Sequence, residues 1–246
     1  MRPFGYFSAS QNPPKGGAGK WARTRARLGP FLCPTFSGVR ILEPMARDLA
    51  AADERRSAFA AGEQPAQNEE QRRPVIGVIG DGEPGSERER MAAEVGAELA
   101  RAGVHLVCGG LGGCMAGASR GYKEANGAGI CLGILPGSSR KEANPWVDLA
   151  IPTGVNSAQG ALVAMAVDAA IVLGGGGGTL SEVGLLLRDG KPVVVVDGTG
   201  GAAELVGGRR LGNVSVRLAH GAAEAVRMVL DALRERNPQK ALDIEE

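Results

Sequence analysis

The sequence predicts an α/β fold: a mainly parallel sheet of about seven strands with helices on both faces. Three observations lead there. From Pro74 onward, strand-length apolar runs recur at 75–79, 104–108, 130–135, 149–152, 169–173, 193–196 and 213–217. Between most of them, and after the last, lie Ala-rich segments with helical spacing, at 87–102, 114–126, 157–167, 179–189 and 221–236. The strand runs are nearly continuous in apolar residues rather than alternating, which marks strands buried on both faces. Such a pattern is a doubly wound, Rossmann-like domain, and its ligands sit beyond the carboxyl ends of the strands.

A further signal is glycine, 39 of 246 residues against a usual share of roughly 7%. Many of these glycines cluster immediately after an apolar run, as in 109–113 and 174–178. Glycine costs backbone entropy on folding, so such clusters mean that the chain uses its bare backbone. The formal charge of +1 supplies no global field for nucleic acid or a membrane surface, so a charged ligand must be met locally.

Residues 1–73 differ from the rest. Up to Leu42 there is no acidic residue, while Arg2, Lys15, Lys20, Arg23, Arg25, Arg27 and Arg40 are all basic. An organelle transit segment has this composition, and so does upstream sequence translated from a misplaced start. The lack of amphipathic periodicity and the scarcity of Ser favour the second, with Met45 as the start. Residues 45–73 are charged and Ala-rich, at most a solvated helix and a linker. The expected organisation is an extension over 1–73, one ligand-binding domain over 74–237 and a short tail over 238–246. Cys33, Cys108, Cys114 and Cys131 show no metal-ligand spacing and read as reduced thiols. No run approaches the ~18 apolar residues of a membrane span, so the expectation is a cytoplasmic protein with no metal site of its own.

Four strand-to-helix turns are candidates for chemistry. Gly80-Asp81-Gly82-Glu83-Pro84-Gly85 matches G-x-G-x-x-G formally, but Asp81 and Glu83 would repel a pyrophosphate and Pro84 lacks a donor. Gly109-Gly110-Leu111-Gly112-Gly113-Cys114-Met115 would let a ligand lie against backbone at a helix start; Cys114 there is either an activated thiol or, better, an inert buried one. In Gly174-Gly175-Gly176-Gly177-Gly178-Thr179 the glycines suit a nest of N–H groups aimed at a phosphate. The bland alternative is a capping box with Thr179 at N-cap and Glu182 at N3. The fourth turn, 152–159, offers Asn156 either as an N-cap with Gln159 at N3 or as a ligand contact. Its neighbour, 136–146, reads as a lid or a plain surface loop.

"GGLGGCMAGASRGYKEANG" and "GGGGGTLSE" look like the G-G-x-x-G-x-M and P-G-G-x-G-T-x-x-E motifs of the LOG (Lonely Guy), or lysine decarboxylase-like, superfamily. "PVIGVIGDGEPG", "EANPWVDLAIPTG" and "VLGGGGGTLSEV" resemble its branch of molybdenum-cofactor carrier proteins. The resemblance covers about residues 74–236. In LOG enzymes, phosphoribohydrolases that free a cytokinin base from its nucleoside 5′-monophosphate, the resemblance implies catalysis by the motif Glu, here Glu182, with an Arg. Gln159 stands where that Arg should be, and Gly174 replaces the motif Pro, which argues against hydrolysis.

The carrier branch implies binding alone, of a flat pterin bearing a phosphate and its own metal ligands. The expected function is therefore binding of molybdenum cofactor or a related phosphorylated heterocycle, with molybdoenzymes as recipients. The expected contacts are Gly80, Asp81, Gly109, Gly110, Gly112, Met115, Asn156, Gly174, Gly175, Gly176, Gly177, Gly178, Thr179 and Glu182. The alternative is the phosphoribohydrolase, with Gln159 or Arg140 replacing the missing Arg. An adaptor for a nucleotide signal or DNA lacks a basic stripe and ranks last. The resemblance also implies a homodimer or homotetramer.

Overall fold

The computed structural model of the protein describes residues 72–212 and 214–236. The expectations for the amino-terminal extension, for Cys33 and for the tail lie outside the described residues. The strands are β1 (Val75–Gly80), β2 (His105–Cys108), β3 (Cys131–Leu135), β4 (Leu149–Pro152), β5 (Ala169–Leu173), β6 (Val193–Val196), β7 (Arg210–Leu211), β8 (Val214–Ser215) and β9 (Arg217–Ala219). The helices are α1 (Glu87–Arg101), α2 (Cys114–Glu124), α3 (Gln159–Ala166), α4 (Gly177–Arg188), α5 (Gly201–Val206) and α6 (Ala222–Arg236). Seven strands form one sheet in the order β4-β3-β2-β1-β5-β6-β9, and every pair in it is parallel.

Strand β1 lies in the middle of this sheet; from it the chain winds outward through β2, β3 and β4, then returns to β5 on the other side of β1. The β1–β5 boundary is thus the point where the winding reverses, and loops on either side diverge there to leave a crevice. Alternate residues of β5 face opposite layers. Ala169, Ile171 and Leu173 pack with α1, α2 and α6, while Ala170 and Val172 pack with α3, α4 and α5. All five are buried, as their unbroken apolar run requires. Burying a side chain such as Ile171 or Leu173 contributes about 1.5–3 kcal/mol.

The last strand departs from expectation. Gly212, at φ +62, turns the chain so that Arg210–Leu211 pairs antiparallel with Val214–Ser215. The seventh sheet strand therefore comes two to four residues later than 213–217, with Arg217, Leu218 and Ala219 opposite Val194, Val195 and Val196. The short α5 was also not expected.

On one face, α1 and α2 approach until backbone meets backbone. A Cβ at Gly96 would collide with the carbonyl of Ala118, one at Gly117 with that of Glu89, and one at Gly121 with that of Ala93. Glycine at three positions lets these two helices close on each other, and α2 in turn fixes the β2 turn that precedes it. We expect Gly121→Ala to lower stability by about 1–3 kcal/mol, the usual cost of overpacking, in a thermal melt. Gly184→Ala in α4, where a Cβ meets nothing within 4 Å, should leave the melting temperature unchanged or raise it.

Candidate functional site

The five-glycine run divides into two parts with different jobs. Gly174 and Gly175 have φ of +61 and +86, a conformation that favours glycine. A Cβ on Gly174 would stand 2.5 Å from Arg88 Cδ, and one on Gly175 would run into the Thr179 side chain. Gly176, Gly177 and Gly178 are the reverse case: their φ is not positive, and a Cβ on any of them meets nothing within 4 Å. Local structure requires the first pair, whereas the last three border open space.

The turn is tied down from behind. The carbonyls of Gly174 and Gly175 accept from the N–H groups of Ala203 (3.0 Å) and Ala202 (2.8 Å) in the first turn of α5. Gly174 N–H donates to Thr199 Oγ1 at 3.0 Å, and that hydroxyl donates to Val196 O at 2.7 Å. Helix α4 then begins at Gly177, with Gly176 as an N-cap that makes no side-chain capping bond. The first N–H groups of a helix have no intrahelical acceptor, so those of α4 are free to meet a ligand. The capping-box expectation fails here. Thr179 is the third residue of the helix rather than its cap, and is buried.

These glycines open onto a cleft of about 570 Å³ at the carboxyl ends of β1 and β2. Of the expected contacts, Gly80, Gly109, Met115, Gly176, Gly177, Gly178, Thr179 and Glu182 line it, joined by Gln159 and Ser181. Asp81, Gly110, Gly112, Asn156, Gly174 and Gly175 do not. Asp81 forms an ion pair with Arg88 at 2.6 Å. Gly110, at φ +72, packs on Leu135. Asn156, at φ +50, opens a 3-10 turn that leads into α3 and is not its cap, because α3 starts at Gln159 behind an uncapped Ala158.

Among the described residues, Glu182 is the one charged side chain lining the cleft. A Cβ on Gly160 would lie 2.8 Å from its Cγ and 3.1 Å from its Oε1, so the carboxyl rests against the first turn of α3. Burial pushes it up to about 7. Gln159 donates through Nε2 to Ile134 O at 2.5 Å, and the same nitrogen is 2.9 Å from where a Gly109 Cβ would be. Burial also pushes the Cys114 thiol up to about 11, so this thiol is an inert part of the core.

Sequence reasoning missed three residues that hold the site. Arg88 reaches from α1 to Asp81 and Glu83, and lies over Gly174. Thr199 holds the glycine turn; its surroundings, 197–204, are another Gly-rich turn after a strand, which is a readable signal. Asn144 fixes the loop 136–146: its N–H donates to Gly110 O at 2.8 Å and its Nδ2 to Leu111 O at 3.0 Å. Trp146 is stacked under Arg120, 5.7 Å from guanidinium to ring. The loop is therefore pinned to the β2 turn. A larger hollow of about 720 Å³ lies at the amino ends of the strands, but its polar groups serve one another: Arg72 pairs with Asp168, and Lys191 donates to the carbonyls of Ala164 and Met165.

Fold and cleft together define an α/β domain with a glycine-bordered cleft at the carboxyl ends of its central strands. The chain belongs to the SLOG cluster4 family, which matches residues 73–230. An uncharacterized protein of Archaeoglobus fulgidus is 38% identical over 129 residues, 50% of this chain and 83% of that one. The molybdenum cofactor binding protein of the phototrophic bacterium Rippkaea orientalis is 33% identical, and superposition covers 66% of this chain and 99% of that one at a TM-score of 0.60. The molybdenum cofactor carrier protein of Chlamydomonas reinhardtii is 37% identical, with coverage of 66% and 99% and a TM-score of 0.59. No helix of the described residues is long and apolar enough to cross a membrane.

Glu182 gives the site a pH signature. Its folded carboxyl holds a proton up to about 7, against an ordinary 4.5, so the native state binds more protons than the unfolded chain between these values. Stability from this group is lost as pH rises through that window. We expect Glu182→Gln to gain on the native protein in thermal melts between about pH 5 and about pH 8. A difference independent of pH would contradict this.

Proposed function

We propose that the protein binds molybdenum cofactor, or a related phosphorylated heterocycle, with its phosphate on the N–H groups of Gly176–Thr179. The observation that carries this reading is the open space beside Gly176, Gly177 and Gly178. Neither conformation nor packing demands glycine there, whereas a ligand lying on the backbone does. An uncapped helix start favours an anion through its free N–H groups and its dipole. The flat part of the ligand then lies across Gly80 toward Gly109 and Met115. Among the described residues no cluster of His, Cys, Asp or Glu is suited to hold a metal. In this reading the protein works in the cytoplasm and hands its cargo to molybdoenzymes.

A phosphoribohydrolase is the second reading, favoured by the raised Glu182 carboxyl inside the cleft. Against it, no Arg lines the cleft among the described residues; Arg140 stands outside it. The Gln159 amide is engaged with Ile134 O and brings no positive charge to the cleft.

We further propose self-association through the face made by α3 and α4. Helix α3, "QGALVAMA", carries no charge on any side, and a helix apolar all round is normally buried. Yet Met165 is 67% exposed and Leu162 37%, with Leu180 of α4 also exposed. Leu149 and Ile151 of the edge strand are bare on the same side of the sheet. Met165→Glu should reduce the sedimentation mass to that of one chain; an unchanged mass, or a native protein that is already monomeric, would remove the proposal.

The functional test is molybdenum and pterin analysis of protein purified from a host that makes the cofactor. We expect both in near-equal amount with the chain. Gly178→Leu should keep the native melting temperature, since its side chain enters open space, while bound pterin falls at least tenfold. Absence of pterin and molybdenum from the native protein would overturn the carrier reading. Release of free base from nucleoside monophosphates, lost in Glu182→Ala, would establish the hydrolase.

A further inference from the structure

The two ends of the cleft differ in hydrogen-bonding character. At the α4 end stand N–H donors. Against α3 the Glu182 carboxyl, resting on Gly160, offers two acceptor oxygens, while the Gln159 Nε2 stands beside Gly109, with no cation among the described lining residues. Gln159 bonds Ile134 O through Nε2, which keeps a second proton on the same nitrogen, so the acceptors of this wall are those of Glu182. Ser181 spends its hydroxyl proton on Gly177 O at 2.9 Å. The two oxygens of the Glu182 carboxyl are satisfied by a ligand edge that presents N–H groups side by side.

We propose that Glu182 sets the ligand class of this site, selecting heterocycles whose edge carries two adjacent N–H donors, the 2-amino-4-oxopyrimidine edge common to pterins and guanine, over adenine-type edges. This rests on the phosphorylated-heterocycle reading above. A carboxylate matches two parallel N–H donors with its two oxygens, as it does those of a guanidinium. An adenine edge sets one N–H beside a ring-nitrogen lone pair, so one carboxylate oxygen would face an acceptor in a partly desolvated place. Such a mismatch discriminates strongly, because polar groups are left unpaired. Glutamine at this position offers one acceptor and one donor, the complement of the adenine edge.

The test is calorimetric titration at pH 8, where the carboxyl is ionised, with guanosine 5′-monophosphate and adenosine 5′-monophosphate as probes and inorganic phosphate as competitor. The native protein should bind the guanine nucleotide at least tenfold more tightly. Glu182→Gln, which conserves size, should bring the ratio to one or below, mainly through loss of guanine affinity. Equal affinities in the native protein, or a ratio unchanged in the variant, would overturn the edge selection. If both nucleotides then still compete with phosphate and both are lost in Gly178→Leu, the phosphate seat stands and only the selectivity has failed. If neither nucleotide binds at all, the selectivity and the phosphorylated-heterocycle reading are overturned together.

Discussion

The carbonyl oxygens of Gly174 and Gly175 accept from the first turn of α5, and Thr199 holds the Gly174 N–H from the same side. With its acceptors engaged on one side, the turn can aim its remaining N–H groups only to the other, into the space at the β1–β5 crossing. The free start of α4, the bare glycines and the cleft all depend on that arrangement. The sheet order contributes the crevice, but α5 and Thr199 give the crevice a polarity. A buried hydroxyl that accepts one bond and donates another typically contributes on the order of 1 kcal/mol per bond, which is modest for stability and large for placement.

The architecture was legible because both faces of the sheet are buried. Continuous runs such as Ala169–Leu173 have no alternative in water, and the switch of period between runs marks the helices. The last strand was misplaced because the alternation of Val214, Val216 and Leu218 with polar residues runs from the 210–215 hairpin into β9 without a break, and Gly212 marks the turn. The helix start at Gly177 was misread for a related reason. Thr179 and Glu182 have the spacing of a capping box, but glycines can enter a helix when the space beside them is reserved.

The site was half legible. Residues that touch the cleft through backbone announced themselves as glycine clusters after strands. Those that position it by side chain did not, since Arg88 and Thr199 are 111 residues apart in sequence and meet at Gly174 only once the sheet is formed. Asn144 is similar, 33 residues from the Leu111 carbonyl it holds. No local pattern encodes such pairings. The charge of the cleft was equally hidden: the sequence offers many cations, but among the described residues none lines the cleft, whose single charged side chain is the acid Glu182.

Loop 136–146 and the β2 turn are joined through two hydrogen bonds from Asn144, and a turn held this way cannot swing open independently of α2, which is itself locked against α1 by glycine contacts. One rim of the cleft is therefore a fixed wall continuous with the core. Any breathing that admits or discharges a bulky guest falls to the opposite rim, α3 and α4, the same helices whose apolar outer surface faces away from the sheet. Whatever settles on that outer surface would govern how readily the cleft opens, so assembly and retention of the guest would be two readings of one motion.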